Sequence, residues 1–214
     1  MTSFDGIARV YRLLEYAAFG RGLQRSREAH LGQLSRCADI LIMGDGDGRC
    51  LTAVMRAAPY ARVHCVDDSQ TMLNLADARL SRDERRRVTF ERVDARAFDP
   101  GPRTFDAMIT MFFLDCFVER DVRALIERLV PHLRADGVWL FTDFSIPAHG
   151  LARVHAQIVV GGLYGFFRMA TGLQARDLPP SEALLAAAGL RLTATTDYRM
   201  GLIRSPVYAR SSDR

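Results

Sequence analysis

The sequence predicts a doubly wound α/β protein, a mostly parallel sheet of seven strands covered by helices on both faces and closed by an antiparallel C-terminal strand. Three observations carry this expectation. From Ile40 onward, short apolar runs alternate with segments of helical period. The first run leads at once into a glycine-rich turn, in ILIMGDGDGRC (40–50). Two strand-like segments at the C-terminus are joined by a short connection containing Gly201, which makes them antiparallel neighbours.

Taken in order, Ile7, Val10, Leu13, Leu14, Ala17 and Ala18 recur at helical spacing, and a second helix is expected from Leu23 to Leu34. Ile40 to Met43 reads as a buried strand. Leu51, Val54, Met55 and Ala58 mark a helix that Pro59 stops. Arg62 to Val66 is the next strand, and Ser69 caps a helix carrying Met72, Leu73, Leu75, Ala76 and Leu80. Strands come next at Val88 to Val93 and Phe105 to Met111, then a helix lined by Val122, Leu125, Ile126, Leu129 and Val130 that ends near Pro131. Val138 to Phe141 is a fifth strand and Leu151 to Ala170 a long apolar helix. Leu184 to Ala188 is a short helix with Gly189 past its end. The last strands lie near Arg191 to Tyr198 and Pro206 to Arg210. In such a sheet, ligands bind beyond the carboxyl ends of the strands, where the strand order reverses.

At 214 residues, 49% of them hydrophobic, the chain is long enough for one substantial core. A single domain over 1–214 is expected, with a helical cap at 1–36, a ligand-binding core at 37–145, an acceptor-side helical segment at 146–190 and the antiparallel strands at 191–214. Arginine or glycine interrupts every apolar stretch before the roughly 20 residues that span a bilayer, and the N-terminus lacks a signal-peptide layout, so a cytoplasmic protein with no membrane span is expected. Cys37, Cys50, Cys65 and Cys116 form neither a CxxC pair nor a Cys/His cluster, so neither disulfides nor a metal site is indicated. The net charge of +4 suits anions, but all 29 basic residues are arginines, a compositional bias rather than a local patch. The densest run, Arg85 to Arg87, has no interleaved aromatic residues and reads as a solvated turn, so nucleic acid is not an expected partner.

Gly44, Gly46 and Gly48 occupy the turn where a doubly wound sheet receives a nucleotide-like ligand. Without Cβ atoms the backbone there can take positive φ and come into contact with that ligand. Dinucleotide folds want GxGxxG, yet the residue three past Gly46 is Arg49. The spacing is GxGxG, and together with the motifs downstream it resembles that of the class I S-adenosylmethionine-dependent methyltransferases, which have a Rossmann-like fold. HCVDDSQTML resembles the family's second-strand end, where an acidic residue, here Asp67, binds the ribose diol, with Asp68 and Met72 behind it. A carboxylate suits that task because it accepts from both hydroxyls at once. FERVDARAFD places Asp94 and Ala95 at the adenine-contacting position. FDAMITMFFLDCF, with Thr110, resembles the fourth-strand motif, and LVPHLRADGVWLFTDF the helix, turn and fifth strand beyond it. The resemblance covers roughly residues 7 to 210. It implies S-adenosyl-L-methionine as cofactor, S-adenosyl-L-homocysteine as product, and contacts from the glycine loop and these residues, with Tyr11 and Tyr16 on an N-terminal helix that resembles the element folding over the cofactor; core packing is the competing account of both tyrosines. One departure stands out. The family's acidic residue two positions before the first glycine, which helps hold the cofactor's amino group, is Ile42 here; Asp45 and Asp47 are the candidates to replace it, with solvation of the loop as the alternative role for both.

A sulfonium methyl is already activated, so alignment, on the order of 7–11 kcal/mol, matters more than a general base supplying about 10²–10⁴-fold. Asp115 and Asp143, at the ends of the fourth and fifth strands, are the catalytic candidates. The competing reading is that Asp115 caps the next helix and Asp143 bonds local amides. His149 and His155 lie on the acceptor side, where surface positions are expected. Glycines 161, 162 and 165 in IVVGGLYGFFRMATGL cost helix stability and point to a packing or mobility reason, with Tyr164, Phe166 and Phe167 lining an acceptor pocket, a homodimer contact or simply the core. The expected function is methyl transfer to a small or medium-sized, partly apolar acceptor. The alternatives are a nucleic-acid methyltransferase, which lacks support in the proline-free TMFFLDCF, and a non-catalytic scaffold that binds the cofactor.

Overall fold

Four consecutive apolar residues, Ile40 to Met43, can only be accommodated in a strand covered on both faces, and that is where the structure puts them. A computed structural model describes the backbone of residues 22–171 and 177–210, with side chains to 165 and again from 177. Strand β1 (Asp39–Met43) lies at the centre of a seven-stranded sheet, parallel to β2 (Arg62–Asp67) on one side and β4 (Phe105–Met111) on the other. With β3 (Val88–Arg92), β5 (Leu133–Phe144), β6 (Leu190–Tyr198) and β7 (Ile203–Arg210), the order is β3-β2-β1-β4-β5-β7-β6. Only β7 runs against the rest, pairing antiparallel with both β5 and β6. The seven strands, their order of appearance and the antiparallel end match expectation.

Helices α2 (Arg49–Ala57), α3 (Gln70–Asp77) and α4 (Arg82–Arg85) connect the first three strands. Helix α5 (Glu119–Leu129) links β4 to β5; α6 (Gly150–Thr171) and α7 (Ser181–Ala187) lie between β5 and β6. The helical stripes bury as their periods require. Cys50, Leu51, Val54 and Met55 of α2 pack with Ile40 and Ile42 on one face of the sheet, while Val122, Leu125, Ile126 and Leu129 of α5 pack with Leu41, Met43 and Trp139 on the other. Each fully buried Leu or Ile contributes roughly 1.5–3 kcal/mol.

Three boundaries differ from the sequence reading. The expected helix from Leu23 to Leu34 is broken at Ala29 and His30 into α1 (Gly22–Glu28) and a 3-10 turn over Leu31–Arg36, because Leu23 packs toward α6 whereas Leu31 and Leu34 pack beneath β1. Helix α3 stops at Asp77, leaving Leu80 beyond it as a half-buried flank of the core, and Leu75 is exposed. Strand β5 is far longer than Val138 to Phe141, since β7 continues its pairing out to Phe144. Arg85 to Arg87 are not a purely solvated turn. Arg85 pairs with Asp77 and lies over the Phe90 ring, and Arg87 donates to the Ala61 carbonyl at 2.8 Å. The N-terminal helix expected at 7–18, with Tyr11 and Tyr16, falls outside the described residues. Among those described, no helix is long and apolar enough to cross a membrane, and no cluster of side chains could hold a metal ion.

Candidate active site

The chain leaves β1 toward β2 and β3 on one side and returns through β4 and β5 on the other, so the tips of β1 and β4 open a crevice at the switch point. The loop after β1 forms one lip. Gly44, Gly46 and Gly48 take φ values of 66°, 66° and 85°, a left-handed path that residues with a Cβ rarely adopt. The three positions differ in what demands glycine. A Cβ at Gly48 would meet the Cα of Ala76 at 2.5 Å, so here glycine lets α2 approach α3. A Cβ at Gly44 would overlap the ring of Phe113. At Gly46 a Cβ would meet nothing within 4 Å, so neighbouring protein atoms leave its outer side clear.

Asp67 stands at the tip of β2 with its carboxylate beside that clear backbone. One oxygen accepts from Gly46 N–H at 3.3 Å and the other from Ser69 N–H at 3.0 Å. With the backbone amide of Asp68, three amides draw on the roughly four acceptor positions of this carboxylate. Burial pushes the Asp67 carboxyl up to about 6, against the pull of those amides. Ser69 caps α3 as expected, accepting from Met72 N–H at 3.2 Å, and Met72 itself is buried. Asp68 is exposed next to Asp67. At the tip of β3, Asp94 pairs with Arg96 at 2.5 Å, which holds its carboxyl below the ordinary range, and Ala95 is buried.

The two loop candidates, Asp45 and Asp47, are each bonded to other groups of the protein. Asp45 accepts from Cys50 N–H at 3.0 Å and Leu51 N–H at 2.9 Å, satisfying the first turn of α2 in place of a side-chain cap. Burial lifts it to about 7, although those amides and the Arg27 charge pull it down. Asp47 is held by Arg49 at 3.0 Å and by Arg79, which reaches across from beyond α3 at 2.7 Å. Both carboxylates are thus engaged in holding the loop. Thr110 also lies away from the crevice. Its hydroxyl is fully buried and accepts from the Trp139 indole N–H at 2.9 Å, because its side chain points into the layer under the sheet.

The other lip is formed by the tips of β4 and β5. Asp115 and Asp143 meet there. The Asp115 N–H donates to an Asp143 oxygen at 3.1 Å, the Phe144 N–H donates to the other at 3.0 Å, and the two carboxyl groups are hydrogen-bonded to one another. Burial first, and mutual repulsion second for Asp143, raise both above the usual carboxylate range. Of the two amides that Asp143 accepts from, that of Phe144 is local, as the competing reading has it, and that of Asp115 is 28 residues away. Asp115 does not cap α5, whose first turn begins after Val118 without a side-chain cap. The Cys116 thiol lies 3.6 Å from Asp115, and the Tyr164 hydroxyl donates to the Asp115 carbonyl at 2.8 Å, tying α6 to this rim. Phe112 with Phe144 and Phe113 with Phe117 form ring pairs at 5.2 and 5.1 Å.

Helix α1 covers β5 and β7 through Ser26, whose carbonyl accepts from Ser205 at 3.0 Å, and brings Arg27 over the Phe112 ring at 4.9 Å. Arg27, Arg79 and Phe113 were not singled out by sequence reasoning, since only contacts over long sequence separations place them here. His149 and His155 are exposed, as expected. Cβ atoms at glycines 161, 162 and 165 would meet nothing within 4 Å, so packing among the described residues does not require them. Phe166 and Phe167 lie outside the described side chains. A cavity of about 330 Å³ at the amino ends of the strands, lined by Asp39, Arg62, His64, Arg103 and Arg134, sits on the edge opposite this crevice. Its arginines are paired with Asp39, Asp106 and Glu91, which makes it a structural ion-pair network.

Comparison with known proteins places this geometry. Residues 40–137 match a family described as a methyltransferase domain. Among proteins of curated function, none matches the sequence. Solved structures match the fold throughout. The mitomycin 7-O-methyltransferase MmcR superposes with a TM-score of 0.69 at 19% identity, covering 98% of this chain and 61% of that one. CalO1, a methyltransferase of calicheamicin biosynthesis solved with S-adenosylhomocysteine, gives 0.67 at 20% identity, covering 97% and 60%. The N-methyltransferase NodS from Bradyrhizobium japonicum WM9 gives 0.59 at 15% identity, covering 88% and 96%. The chain therefore spans about 60% of the length of the first two.

Proposed function

We propose that this chain, a class I methyltransferase-fold protein whose residues 40–137 fall in the methyltransferase domain family, transfers a methyl group from S-adenosylmethionine to a small, partly apolar acceptor. The observation that carries the reading is the clear backbone at Gly46 beside the Asp67 carboxylate, an acceptor at the strand tip that the amides of Gly46, Ser69 and Asp68 hold in place. A cradle without Cβ atoms and a carboxylate at the neighbouring strand tip fit an adenosyl group. When bound, that cofactor supplies a sulfonium methyl activated for in-line displacement.

The residues of the chain then have positional tasks. Asp67 holds the sugar, and Asp94, Ala95 and Met72 border the base. Asp45 and Asp47 keep the glycine loop in shape through α2 and Arg79. Asp115 and Asp143 act as positioning residues, since Asp143 is only 4% exposed and both are committed to one another and to main-chain amides. Their contacts hold the rim on which the acceptor rests. The aromatic rings at 112, 113, 117 and 144 give that rim its apolar character, and the small-molecule substrates named for the mitomycin enzyme and the calicheamicin pathway agree with it. Calorimetry of the full chain with S-adenosylhomocysteine tests the reading. One ligand per chain with saturable heat is expected; no heat from folded protein with either cofactor form would sink it.

A further inference from the structure

Phe112 ends β4 with φ of 53°, a left-handed conformation that is uncommon for an aromatic residue and concentrates at functional sites. It is held there by its N–H, which donates to the Thr142 carbonyl at 2.7 Å, and by the Phe144 ring at 5.2 Å. The next side chain, Phe113, packs against the core layer that holds Leu41, Met43 and Val66. It also lies on Gly44, so close that a Cβ on that glycine would occupy the ring. Phe117 braces it at 5.1 Å with the planes 68° apart, and Phe113 remains only half-buried. Glycine at 44 is thus required by an aromatic ring of the chain itself, placed over the tip of β1.

That position is one strand away from Asp67, about 4.8 Å in the pairing direction. This is the scale of a ribose with its 5′ carbon, so a nucleoside whose diol rests on Asp67 carries its 5′ sulfur toward the tip of β1. We propose, building on the methyltransferase reading above, that Phe113 faces the sulfonium of S-adenosylmethionine and makes the site prefer this cation to its neutral thioether product. An aromatic face attracts a cation through its quadrupole, and the attraction vanishes when the methyl leaves and the sulfur becomes neutral. The ring thereby acts as a specificity-determining residue that favours cofactor exchange after each transfer.

The test is the ratio of the dissociation constants for S-adenosylhomocysteine and S-adenosylmethionine, measured by calorimetry on the full chain and on Phe113→Leu and Phe113→Tyr. The native chain should bind the sulfonium more tightly. Phe113→Leu should shrink the ratio by roughly 2- to 30-fold while leaving the affinity for S-adenosylhomocysteine nearly unchanged, and Phe113→Tyr, which keeps the ring, should retain it. An unchanged ratio in Phe113→Leu, or an equal loss for both ligands, overturns the inference and leaves the methyltransferase reading standing. Native protein that binds neither ligand overturns both. If Phe113→Leu does not fold, loss of the ratio in Phe113→Met decides in favour and its retention decides against.

Discussion

The tips of β1 and β2 and the tips of β4 and β5 stand side by side on one sheet, yet they treat their carboxylates in opposite ways. On the first side each acid is matched to main-chain N–H groups or to arginine. Asp45 meets two amides of α2, Asp47 meets Arg49 and Arg79, and Asp67 meets main-chain amides with both oxygens. On the second side Asp115 and Asp143 meet each other, with no arginine among the charges that shift either of them. The first arrangement keeps Asp67 mostly anionic near neutrality and half-buried at the tip of β2. The second places two buried acids against one another and raises both above the ordinary carboxylate range. Acids at neighbouring strand tips can therefore carry unlike roles, decided by whether donors or another acid lie across from them.

The comparison breaks most readily at the loop. Gly48→Ala combines left-handed backbone strain with overlap on Ala76, and should cost roughly 2–5 kcal/mol of stability by urea unfolding. Gly46→Ala meets only open space and should cost about 1–2 kcal/mol while still weakening the cofactor. Equal losses at the two positions would show that strain alone, and not the close approach of α2 to α3, distinguishes Gly48.

A smaller effect is expected at Asp67. Asp67→Asn should lower affinity for S-adenosylhomocysteine by roughly 10- to 100-fold, the equivalent of losing charged hydrogen bonds worth about 1.5–3 kcal/mol. The native carboxylate is ionised above about 6. Since the ionised form accepts from the diol, native affinity should fall as pH drops through 6, and the Asn variant should lose that dependence. A variant titrating like the native chain would remove Asp67 from the site.

The acceptor-side pair gives the smallest change, and only in a pH series. Both acids are raised in the folded state, so the fold binds protons that the unfolded chain has released above the ordinary carboxylate range near 4. Stability should then decline as pH rises above the ordinary carboxylate range. Asp143→Asn should flatten that decline by at most one proton, about 1.4 kcal/mol per pH unit. Thermal unfolding at several pH values reads the slope. A slope identical to that of the native chain would mean that the raised Asp143 carboxyl does not set it.

What the amino-acid order determined alone is everything that depends on neighbours along the chain. Strands announced themselves by apolar runs, the glycine turn by its spacing, the start of α3 by Ser69, and Asp67 by its place at the end of a strand. Tertiary structure decided the direction of each remaining side chain. Asp45 turned inward because α2 leaves amides without partners, Asp47 because Arg79 reaches it over 32 residues, and Thr110 because Trp139 on the neighbouring strand needs an acceptor. Asp115 found Asp143 and Phe113 found Gly44 across the sheet in the same way. Local signals report backbone conformation, which a few residues can specify; the aim of a polar or aromatic side chain depends on partners that only folding brings near.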